Sequence, residues 1–98
     1  MFGRGSGMTV CVDAPLRAGG VDLDPGDYEV TVDEDSSTIA LRRDGTEVLR
    51  AEALARSSKM MVRKPKADLH KVAGEPRRLL VARTPPAEEW VLSLDERG

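Results

Sequence analysis

The dipeptide Asp44-Gly45 constrains this chain more than any other short feature. Asp-Gly supplies the two positive-φ residues of a type I′ turn, whose twist matches that of the antiparallel strands it joins. Both flanks fit strands. On the N-terminal side, Ile39 and Leu41 alternate with Thr38, Ala40 and Arg42, and further upstream Tyr28, Val30 and Val32 alternate with Asp27, Glu29, Thr31 and Asp33. A period of two places one row of side chains in a core and the other in water. Residues 34–37 are small and acidic, as a loop requires. On the C-terminal side, residues 47–56 are strong helix formers, enough for roughly three helical turns. The turn nevertheless demands a hairpin partner, which selects strand through about Ala53. Its inward set is Leu49, Ala51, Ala53 and Ala55, or else Val48 and Leu54 on the other face. Residues 27–53 thus predict a three-stranded antiparallel meander.

The same reading extends along the chain. Residues 8–12 form a first strand that is over by Pro15, which has no amide proton to donate. Gly19-Gly20 marks a turn, and Pro25-Gly26 fits the centre of a type II turn feeding the Tyr28 strand. Residues 59–64 make a short strand candidate, with Met60 and Val62 on one face and Met61 and Arg63 on the other, ended by Pro65. Residues 67–72 follow, then a turn at Gly74-Glu75-Pro76. Residues 77–83 are apolar enough on both faces to be central. After Pro85-Pro86, Trp90, Leu92 and Leu94 alternate along a last strand, with Trp90 plugging one end of the core. About seven or eight short strands joined by Gly, Pro and Asp turns predict an all-β fold, a small antiparallel β-sandwich or partly open barrel. The expected domain is residues 8–95, between a flexible leader at 1–7, with Met8 as an alternative start, and a tail at 96–98.

The run from Gly19 to Val30, GGVDLDPGDYEV, resembles the opening of small bacterial all-β domains that carry a GG-x-x-L-x-x-G-x-Y-x-V pattern. The pattern is a turn and a strand and contains no chemistry, so the resemblance implies the fold class alone. Such domains often follow a secretory signal, whereas residues 2–7 are Gly-rich and polar and do not read as one.

Ninety-eight residues suffice for one modest core, and with one Phe, one Tyr and one Trp that core is aliphatic. Charged residues are 33% of the chain but nearly cancel, at a net −2, so overall charge argues neither for a nucleic-acid binder nor for a membrane-surface protein. Their order is uneven. From Asp13 to Asp35 a run of acids is opposed by Arg17 alone, whereas from Arg56 to Arg78 bases dominate over Asp68 and Glu75. The opposed signs read as solvated strand faces or as a bipolar surface that docks a partner or a second copy. Cys11 is the one cysteine, so no internal disulfide forms, and no stretch is apolar enough to span a membrane. Together these predict a cytoplasmic chain, with Cys11 as a small semi-buried hydrophobe.

Candidate chemistry is sparse. His70 is the one histidine, which excludes a two-histidine metal site, and it reads as an exposed strand residue. Asp22, Asp24 and Asp27 lack the loop length and closing glutamate of a calcium site, and no Gly-x-Ser-x-Gly elbow or phosphate loop occurs. The expectation is a non-enzyme with no catalytic residues, metal or cofactor.

One stretch has a binding character. Residues 56–66, RSSKMMVRKPK, intersperse bases with two methionines and a valine. They read as a strand whose Lys and Arg guard an exposed edge, or as a partner-binding surface made by Arg56, Lys59, Met61, Arg63, Lys64 and Lys66. The expected function is a protein–protein interaction or assembly module, including self-association. The alternative is a weak nucleic-acid binder on the same edge, against which stands the shortage of aromatic residues for base stacking.

Overall fold

Asp44 and Gly45 both have positive φ, 53° and 79°, and the turn they make joins β5 (Thr38–Arg43) to β6 (Thr46–Glu52). The computed structural model describes residues 8–97, so the proposed leader lies outside it. With β4 (Gly26–Asp33), β5 and β6 form the expected meander, and β1 (Met8–Val12) pairs with β4 to complete a four-stranded antiparallel sheet in the order β1-β4-β5-β6. The register slips at Leu41/Arg42, where Leu41 faces Leu49 but Arg42 faces Glu47. This bulge leaves Val48 as the extra residue and twists the hairpin more strongly.

A six-stranded antiparallel sheet faces the first. Its backbone is β3-β2-β10-β9-β8, comprising Val21–Leu23, Leu16–Ala18, Glu88–Glu96, Arg77–Thr84 and Lys66–Lys71 in that order. The sixth strand, β7 (Leu54–Ser57), pairs with the first half of β10, and β2 pairs with its last residues on the same edge. As its composition predicts, β9 is central, between β10 and β8. Side by side, β1 lies along β8 and β3 approaches β6, so the two sheets make a flattened barrel closed by packing rather than by ladders. The core between them contains Met8, Val12, Leu16, Leu23, Val30, Ile39, Leu41, Leu80 and Leu94, all essentially inaccessible.

Several expectations are revised. Pro25-Gly26 feeds β4 as expected, but it does so by carrying the chain from one sheet to the other, because β3 and β4 belong to different sheets. It is a corner. Gly26 has φ 146°, and a Cβ there would come within 2.7 Å of the Arg43 guanidinium, which lies 5.3 Å from the Tyr28 ring centre. The strand after Asp44-Gly45 ends at Glu52, and Ala53 donates to the Ser37 carbonyl at 2.8 Å as the chain leaves one sheet for the other. Residues 59–64 form no strand. Instead Val62 donates to the Pro86 carbonyl and Ser58, just before the segment, to that of Ala87, so residues 58–65 are a loop strapped across the β9–β10 turn. Ten strands result among the described residues, and the last runs to Glu96, into the segment assigned to a tail.

Candidate functional site

The large exposed hydrophobic residues among those described are Leu54, Met60 and Met61, at 64%, 73% and 78% exposure. All belong to β7 and the loop at 58–65 that follows it. The strand expectation that put Met60 and Val62 on one face is therefore overturned, since Met60 stands in solvent while Val62 is half-buried. Every residue of β7 is exposed, and among the described residues it has β10 as its one partner strand, leaving its other edge open. Beneath its inner side lies a hollow of about 230 Å³ bordered by Ala55, Ser57, Glu88 and Trp90.

The sequence-predicted residues divide into two groups. Arg56 is engaged: it faces Glu89 across the β7–β10 pair and bonds it at 2.9 Å. Glu89 also accepts from Arg83 on β9 at 3.0 Å, and Arg83 reaches Asp68 on β8 at 3.5 Å. This ladder spans four strands. The Arg56 guanidinium, with Arg83 adding to it, holds the Glu89 carboxyl below the usual range. Lys59, Met61, Arg63 and Lys64 all lie on the strap, whereas Lys66 opens β8 opposite Arg83. No ion pair of Lys59, Arg63, Lys64 or Lys66 occurs among the described residues. The sequence offers Leu54 only as part of an inward set with Val48, not as a surface residue, although a signal exists: it falls on the face opposite Leu49, Ala51, Ala53 and Ala55.

A second depression, a cleft of about 400 Å³, separates the acidic β4–β5 turn from the strap. Asp33, Glu34 and Asp35 form one wall, Pro65 and Pro85 the other, with Met8, Val32 and Thr84 at its base. Asp33 is occupied in shaping its own turn, accepting from the amides of Ser36 and Asp35, which with Arg50 nearby lowers its pKa. Pro65, between Lys64 and Lys66 in sequence, thus brings the strap alongside the acidic turn.

Cys11 points outward from β1 and is exposed, correcting the semi-buried expectation. It sits opposite Asp27 in the ladder. Local desolvation, then Asp27 and Asp13, push its thiol up. His70 is exposed on β8. Among the described residues no three His, Cys, Asp or Glu side chains gather as a metal site, and no helix crosses a membrane.

The fold and surface define a small all-β domain with an open strand edge. Comparison with protein-family models, with curated proteins and with solved structures returns no match for this chain.

Proposed function

We propose that this chain is a non-enzymatic protein-interaction module, acting in the cytoplasm, whose working surface is the free edge of β7 together with the strap at 58–65. The observation that carries this reading is the exposure of Leu54, Met60 and Met61 on the open strand and the loop that follows it, beside cations that form no ion pair among the described residues. An unpaired edge offers backbone donors and acceptors, flexible methionines adapt to a partner's surface, and unanswered cations select an acidic one. The nucleic-acid alternative draws less support: Arg56 is neutralised by Glu89, and Tyr28 and Trp90 are buried, so neither ring can stack a base.

The test is capture from a nuclease-treated lysate with the wild type and with an Arg63→Glu/Lys64→Glu variant. Both should show the same circular dichroism, because the two residues lie on the strap and bond nothing in the core. Protein retained by the wild type and lost by the variant is the expected outcome. Retention that vanishes with nuclease, or that falls log-linearly with salt, would instead assign the surface to nucleic acid.

A further inference from the structure

We infer that the partner of this surface is a second copy of the same chain, joined by antiparallel pairing of β7 with β7 about a twofold axis; the inference rests on the interaction reading above. The argument begins with what lies at each end of β7. At its start, Glu52 and Ala53 precede the strand, and the Ala53–Ser37 hydrogen bond ties this end to the acidic β4–β5 turn. At its finish, Ser58 is tied to Ala87 and the chain enters the strap with Lys59 and Arg63. The free strand is therefore acidic at one end and basic at the other.

Antiparallel self-pairing is the arrangement that uses this polarity. It sets the finish of each β7 beside the start of the other, so Lys59 and Arg63 of one copy approach Glu52 and Asp35 of its mate, and the contact occurs twice. A parallel pairing would set base against base and acid against acid. With the axis on Ala55, Ala55 faces its own mate, Leu54 of one copy faces Arg56 of the other on the same side of the sheet, and Ala53 faces Ser57, beside the strap that carries Met60 and Met61. The exposed hydrophobic residues then lie within the contact instead of facing water. Arg56 does not oppose this, because Glu89 already neutralises it within its own copy.

The position of the acidic turn determines closure. Through Pro65, flanked in sequence by Lys64 and Lys66, the strap borders the same cleft as Asp33, Glu34 and Asp35, so the basic segment adjoins the acidic turn. A patch that carries both signs can serve as the same surface on both copies, an isologous contact that closes at two, whereas a head-to-tail stack needs two separate surfaces. The product is one sheet running from β8 of one copy through both β7 strands to β8 of the other, which removes the open edge.

The deciding experiment is the mass in solution by light scattering and sedimentation, over a wide concentration range, for the wild type, Lys59→Glu/Arg63→Glu and Asp35→Lys/Glu52→Lys. The wild type should show twice the 10.7 kDa chain mass. Each variant should dissociate at a concentration higher by about tenfold or more. An equimolar mixture of the two variants should regain the dimer, since each then supplies the sign the other lost. On the wild type alone, amide exchange at Leu54–Ser57 should slow as concentration rises through the transition. A wild type monomeric throughout overturns the self-pairing, and so does a dimer that neither charge variant weakens or whose β7 amides exchange alike at every concentration. A monomeric wild type that still loses captured protein on the Arg63→Glu/Lys64→Glu change leaves the module reading standing with another partner. If capture is unchanged as well, both fall.

Discussion

At the scale of the residue, Trp90 shows how one polar atom decides the cost of burying a large ring. The side chain is 5% exposed, and its indole N–H donates to the Thr84 hydroxyl at 3.0 Å, itself on a residue only 8% exposed. Thr84→Val keeps the volume and removes the acceptor, stranding a buried donor. Chemical denaturation should show a loss of about 1–3 kcal/mol, while Trp90→Ala, which also opens a cavity, should cost about 3–5 kcal/mol. A Thr84→Val chain as stable as the wild type would mean that another group satisfies the indole. Cys11 makes a second residue-scale prediction. With its thiol pushed up by its surroundings and by Asp27 and Asp13, less thiolate is present at neutral pH. Alkylation should be slower than for cysteine in an unstructured peptide, and Asp27→Asn should accelerate it. Equal rates for the wild type and that variant would remove Asp27 as a cause. The alternation in MTVCV made the outward direction of Cys11 legible. Its exposure was not, because nothing in a strand's own sequence says whether its outer face is covered.

At the scale of the element, local chemistry was legible wherever the backbone had little choice. Asp44-Gly45 and Gly19-Gly20 adopt the positive φ values that their residue types favour, and the alternation of β1, β4, β5 and β10 gives their inward faces correctly. Residues 59–64 misled because KMMVRK alternates weakly and Pro65 ends it either way; the destination of its amides, the 85–87 turn, is a tertiary fact. Residues 47–56 hid a change of sheet. The Arg56–Glu89–Arg83–Asp68 ladder joins the elements beyond that change and carries a pH signature. Glu89 is held below the usual range in the folded state, so the unfolded chain takes up its proton first as pH falls. Its contribution is fully present above the ordinary glutamate range and disappears as pH drops through the depressed folded value. Thermal melts should find Glu89→Gln less stable than the wild type near neutrality, with the gap narrowing in acid. A gap that is constant or widens would show that the ladder is not what the carboxylate feels.

At the scale of the whole molecule, the all-β class and the single aliphatic core follow from composition and period, whereas the partition of strands into two sheets does not. Consecutive strands β3 and β4 separate at a glycine corner, and β6 and β7 separate at Ala53, although each pair reads as continuous in sequence. Which strand edge is left open depends on that partition, so the candidate surface could be read as a basic stretch but not as an edge. The strand β10 is the reverse case, simple in sequence yet paired with β2, β7 and β9. Its place after every strand it pairs with sets a clock on biosynthesis. While a ribosome is still making residues 88–96, the β4–β6 meander can form from local contacts, but β2, β7 and β9 have no strand to unite them. A nascent chain therefore holds its second sheet in pieces, with the edges of those strands open to chaperones or to neighbouring nascent chains, until β10 emerges.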